Sequence, residues 1–131
     1  MCLYRLLQLL AFPLFLIFLG VRSFRELGFA KSIPERFGYT KLQHLEGAIW
    51  FHAVSAGEVR AIAPLMRLMY SQFPDRPFVV TTMTSTGADQ AKKLVGDFAS
   101  HFFAPYDFRR GVKRVFGSMK PRMLVVVETE I

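Results

Sequence analysis

The chain has 131 residues, 52% of them hydrophobic and 21% charged, with a mean hydropathy of +0.28. That is enough for one domain and too apolar for a disordered tail. Seventeen Lys and Arg against ten Asp and Glu give a formal net charge of +7, so the expected partners are anionic: nucleic acid, phosphorylated ligands or an acidic membrane surface. The single cysteine, Cys2, excludes a disulfide framework and a Cys-based zinc site, and His44, His52 and His101 show no metal-ligand spacing.

Residues 1–22 read as a membrane anchor. Between Arg5 and Arg22 runs LLQLLAFPLFLIFLGV, uncharged and interrupted only by Gln8 and Pro13. As a helix it covers about 24 Å, short of the ~30 Å hydrocarbon core unless the residues before it extend it. No small-x-small site favours cleavage as a signal peptide. Arg22, Arg25, Lys31, Arg36 and Lys41 follow the segment and only Arg5 precedes it, which predicts a cytoplasmic globular part. Residues 23–46, with Gly28, Pro34 and Gly38 among alternating charges, read as a short helix and an irregular juxtamembrane connector.

From 47 to 131 the pattern is that of alternating strands and helices. Ala48–Ala53, Phe78–Thr82 and Met123–Val127 are short apolar runs suited to buried strands. Val59, Ile62, Ala63, Met66, Met69 and Tyr70 recur at helical spacing between the first two, and a second helix is predicted from about Thr86 to Val95. His101–Phe103 is a candidate further strand. A last helix has Phe108, Val112, Val115, Phe116 and Met119 on one face and Arg109, Arg110, Lys113 and Arg114 on the other. The fold class is α/β, a Rossmann-like parallel sheet covered on both faces. Glu128 and Glu130 follow the last strand, where open α/β sheets present ligand-binding groups, and the sequence ends where such a strand hands over to a loop.

Three stretches carry chemistry, each with a plainer structural role beside it. Ser55-Ala56-Gly57-Glu58 fits a capping box, with the Glu58 carboxylate reaching back to the Ser55 N–H. Equally, Gly57 allows close approach of a substrate and Glu58 faces the crevice as a general base. Thr84-Ser85-Thr86-Gly87 supplies an N-cap at Thr84 or Ser85, while its excess of hydroxyls at a helix start also suits phosphate or carboxylate. No P-loop or dinucleotide fingerprint is present. The Arg109–Arg114 cluster is either a solvated helix face or a contact for anionic lipid, which the neighbouring anchor favours over RNA.

The segments IWFHAVSAGEVRAIAPLMRLM, VVTTMTSTGADQAKKL and APYDFRRGVKRVFGSMKPRMLVVVETEI resemble, in order and spacing, the N-terminal domain of the 3-deoxy-D-manno-octulosonic acid (Kdo) transferases. The usual pattern of that family is HAxSxGE, TTxTxTG, PxD and a strand ending in ETE. Ser85 stands where the family often has proline. The resemblance implies the N-terminal half of a GT-B-type inverting glycosyltransferase at the inner face of the Gram-negative inner membrane. It would transfer Kdo from CMP-Kdo to a lipid A precursor, with the nucleotide sugar held by a C-terminal domain beyond this sequence. It further implies that Glu58 is the base and that Ser55, Ala56, Gly57, Thr84, Ser85, Thr86, Gly87, Glu128 and Glu130 belong to the substrate-binding edge. No cofactor, metal or nucleic acid is expected. The rival readings are a different GT-B enzyme acting on lipid-linked sugars and a non-catalytic, membrane-anchored anion-binding domain.

Overall fold

The computed structural model describes residues 2–25, 29–40 and 45–128, in two compact units, 1–33 and 34–131. In the first unit, α1 (Cys2–Arg25) is a helix of 24 residues with Pro13 inside it. It extends past the expected anchor boundary, and Leu10, Leu14, Ile17 and Phe18 along it are exposed. Among the described residues, no helix is long and apolar enough to cross a membrane. Helix α2 (Phe29–Arg36) spans the division between the units. The second unit begins at Pro34, so part of the stretch read as connector is built into the α/β unit.

In that second unit the elements alternate: β1 (Ile49–Ala53), α3 (Ala56–Gln72), β2 (Phe78–Thr82), α4 (Ser85–Val95), β3 (Ala99–Phe103), α5 (Arg109–Met119) and β4 (Met123–Val127). The four strands are parallel, in the order β3-β2-β1-β4, a Rossmann-like α/β sheet. The chain steps outward from β1 to β2 to β3 and then crosses to the other side of β1. That reversal puts the topological switch point between β1 and β4, at whose carboxyl ends open sheets form their crevice.

Helical spacing sets the core. Val59, Ile62, Ala63 and Met66 of α3, with Ala91 and Val95 of α4, pack on Ile49, Phe51, Ala53, Phe78 and Val80. Each fully buried Val or Met there contributes about 1.5–3 kcal/mol. On the opposite face Trp50, Val79 and Phe102 meet Val115 and Met119 of α5.

Two expectations are corrected. Within these 131 residues β4, expected as a buried strand, pairs with β1 along one side, and Met123, Leu124 and Val126 are exposed. Phe116 is 41% exposed although it meets Trp50 edge-on at 5.2 Å, and Gly111 takes a buried place on α5 instead. The reason is a close approach of main chains. A Cβ at Gly111 would lie 3.2 Å from the Phe37 carbonyl oxygen, and a Cβ at Gly38, whose φ is +84°, would run into the Gly111 carbonyl.

Candidate functional site

The loops that leave β1, β2 and β3 meet at the carboxyl edge of the sheet. Ser55, extended at φ −126° and ψ 169°, caps α3. Its Oγ accepts a long bond from the Glu58 N–H at 3.5 Å and donates to Glu58 Oε1 at 3.2 Å. The other carboxylate oxygen, Oε2, accepts the Val54 N–H at 2.6 Å. The capping box therefore differs from the one expected. Glu58 reaches past the Ser55 N–H to the residue before it, where the end of β1 aims an N–H at the first turn. Two donors fix the carboxylate, and Gly57 beside it is exposed, with only Ser55 Oγ, at 3.8 Å, close to where a Cβ would stand.

The hydroxyl-rich stretch divides by depth. Thr81 and Thr82 are buried. Thr81 Oγ1 accepts the Trp50 indole N–H at 2.8 Å and lies 3.0 Å from His52 Nδ1, and Thr82 Oγ1 lies 2.9 Å from His101 Nε2. Both histidines are therefore held half-buried against β2. Burial lowers the His52 pKa, opposed in part by the Glu58 carboxylate. For His101, burial first and the Arg36 charge second push the pKa down to about 4.

Thr84, and not Ser85, caps α4, which starts one residue earlier than expected: its Oγ1 accepts the Gly87 N–H at 3.1 Å. Ser85 and Thr86 form the first turn, with Thr86 exposed. Gly87 is buried, and a Cβ on it would lie 3.0 Å from Thr84 Oγ1 and 3.1 Å from Thr82 Cβ, so any larger residue would press on the cap. This loop is tied to the Glu58 loop, because the Met83 N–H donates to the Val54 carbonyl at 3.1 Å and Thr84 Oγ1 lies 3.5 Å from the same oxygen.

Of the remaining predicted residues, Val127 pairs with Ala53, so Glu128, exposed, emerges level with Val54 across the switch point. Glu130 lies outside the described residues. Arg109, Arg110 and Lys113 are exposed on α5. Arg114 is engaged elsewhere: its Nη1 donates to the Phe37 carbonyl at 2.8 Å and its guanidinium stands 3.8 Å from the Tyr39 ring centroid. A cleft of about 200 Å³ lined by Ile49, Met69, Phe73, Arg76, Arg122 and Met123 opens at the amino-terminal edge and shares no residue with this site. Among the described residues, no three His, Cys, Asp or Glu side chains gather to hold a metal ion.

Sequence reasoning misses Arg36 and Glu35. By position Arg36 reads as one of the basic residues that follow the apolar segment, yet it is 1% exposed. Its guanidinium donates to the Met83 carbonyl at 3.1 Å and lies 4.4 Å from the centroid of the Phe103 ring. Glu35 accepts the Phe103 N–H at 2.9 Å. The local sequence holds no pattern that marks this burial, since the partners lie in β2, β3 and the loops after them.

A parallel α/β domain with a doubly held carboxylate at the switch point, beside a hydroxyl-rich helix start, belongs to the class that receives polar ligands along the carboxyl edge of the sheet. The 3-deoxy-D-manno-octulosonic-acid transferase (kdotransferase) family model matches residues 31–131, and the chain belongs to that family. It is 32% identical over 131 residues to the 3-deoxy-D-manno-octulosonic acid transferase of Haemophilus influenzae, covering 98% of this chain and 30% of that protein. It is 33% identical over 130 residues to an Arabidopsis thaliana protein named "Probable 3-deoxy-D-manno-octulosonic acid transferase, mitochondrial", covering 98% of this chain and 29% of the other. The Rickettsia bellii 3-deoxy-D-manno-octulosonic acid transferase is 27% identical over 132 residues, covering 100% of this chain and 32% of that protein. The chain thus spans about a third of the length of these relatives.

Proposed function

We propose that this chain forms the acceptor-binding half of a GT-B glycosyltransferase that transfers Kdo from CMP-Kdo to a lipid A precursor, with Glu58 as general base. The observation that carries the reading is the Glu58 carboxylate, held by the Val54 N–H and the Ser55 hydroxyl at the end of β1. In a single inverting displacement the acceptor hydroxyl attacks the anomeric carbon and gives its proton to Glu58. The bond from that carbon to the CMP oxygen breaks, and CMP leaves with the electron pair. The Thr84–Gly87 turn, with Ser55, Ala56 and Gly57, borders the acceptor, whose phosphates suit N–H groups at a helix start. Glu128 borders it from the end of β4, and Glu130, two residues on in the sequence, is assigned to the same substrate-binding set. The donor is held by chain outside these 131 residues, and the reaction draws on no cofactor here.

Attachment to the inner membrane, with the α/β unit on its cytoplasmic side, is part of the same proposal. The exposed Leu10, Leu14, Ile17 and Phe18 of α1 support contact with a lipid surface, and the exposed Arg109, Arg110 and Lys113 of α5 support contact with its anionic headgroups.

Glu58→Gln tests the reading in the form of the protein that carries both halves. The substituted amide keeps an acceptor for the Val54 N–H and a polar partner for Ser55 but takes no proton. Turnover is expected to fall at least ~10²-fold with the melting temperature nearly unchanged. Near-normal turnover would leave Glu58 as a helix cap and make Glu128 the next carboxylate to test.

A further inference from the structure

Arg36 carries a permanent charge and is almost entirely removed from solvent. A charge in that position is tolerated only if its donors and its field are answered. Part of the answer is aromatic, since the guanidinium lies 4.4 Å from the centroid of the Phe103 ring and 5.6 Å from that of Tyr106. A further part lies across the strand ends. The guanidinium donates to the Met83 carbonyl at 3.1 Å, the Met83 N–H donates to the Val54 carbonyl at 3.1 Å, and the Val54 N–H donates to Glu58 Oε2 at 2.6 Å. These three bonds form a continuous path from a buried cation to a carboxylate.

Every link in that path runs in one direction. Each intermediate residue accepts at its carbonyl and donates at its N–H; these two groups belong to adjacent peptide units joined through the α-carbon, so what the path carries is position. Geometry follows the same path. Holding the Met83 carbonyl fixes the β2–α4 turn, that turn holds the Val54 peptide, and the Val54 N–H sets where Oε2 sits.

We propose that Arg36 is a positioning residue for Glu58, acting through the Met83 and Val54 backbone to hold the carboxylate at the carboxyl edge of β1. The inference rests on Glu58 as the base for its catalytic meaning, but the hydrogen-bond path is testable without catalysis.

The test follows the Val54 and Met83 amide resonances of the isotopically labelled 131-residue chain through the carboxylate pH range. In the parent the Val54 amide shift should titrate, and in Glu58→Gln that titration should vanish, which assigns it to Glu58. Arg36→Met should cut its amplitude to less than half and speed exchange of both amides about 10-fold. Arg36→Lys, the variant that keeps the charge if the methionine chain fails to fold, should also reduce the amplitude, because an ammonium cannot stack on Phe103 and reach the carbonyl as a planar fork does. Arg67→Met, which breaks only the exposed pair with Asp97 and its neighbouring contacts, should change neither amide. Full parental amplitude in either folded Arg36 variant overturns the proposal, as does a Val54 titration that survives Glu58→Gln. If the Arg36 effects appear while Glu58→Gln turns over normally, the positioning stands and the base assignment is the part that fails.

Discussion

His101 shows how a single half-buried side chain shapes the response to acid. Its pKa of about 4 lies below the usual 6.5, chiefly because burial penalises the imidazolium and secondarily because Arg36 repels it. The unfolded chain therefore takes up a proton near pH 6.5 while the folded chain resists until about pH 4. Stability is intact above the unfolded value and is lost progressively as pH falls between the two, by about 2–3 kcal/mol. His52, whose pKa is lowered by burial, acts in the same direction. His101→Gln, which keeps a polar partner for Thr82, should flatten the plot of urea midpoint against pH across that window. An unchanged slope would show that His101 is not the titrating group.

Among the elements, α5 and the turn before β1 depend on one another. Gly38 sits at φ +84° with its α-carbon facing the Gly111 carbonyl, so an alanine there combines a left-handed backbone with a steric clash. Gly38→Ala should cost about 3 kcal/mol or more, read as a shift in thermal midpoint. The basic face of α5 is a separate matter, because its charges are not equivalent. Reversal of Arg109, Arg110 and Lys113 to Glu should leave the fold intact and weaken binding to vesicles containing anionic lipid, each lost cation removing about 1 kcal/mol. That difference should shrink as salt rises and the Debye length falls below ~8–10 Å. Arg114→Glu should instead lower stability, since it gives up the bond to the Phe37 carbonyl and the stack on Tyr39.

For the whole molecule, the share of its relatives that the chain spans leads to one expectation. The 131 residues alone should neither transfer Kdo nor bind CMP-Kdo measurably, because in the proposed arrangement donor recognition lies in the rest of the enzyme. Titration of the chain with CMP-Kdo, followed by calorimetry, reads this directly. Saturable binding would relocate the donor site to this half and remove the two-domain division of labour.

Periodicity along the chain is sufficient for the α/β class, because a stripe such as Val59, Ile62, Ala63 and Met66 suits a helix packed on a sheet, and short apolar runs between such helices supply its strands. The Ser55-to-Glu58 and Thr84-to-Gly87 spacings likewise announce two helix starts at the ends of strands. Contacts between distant segments are absent from any local pattern. Which N–H the Glu58 carboxylate accepts, and that Thr81 and Thr82 turn inward, depend on where β1, β2 and β3 end relative to each other. Arg36 is the clearest case. In the sequence it is one cation among several after an apolar segment, and only the folded chain, by stacking Phe103 on it and bringing the Met83 carbonyl to it, makes it a buried charge tied to the backbone of the site.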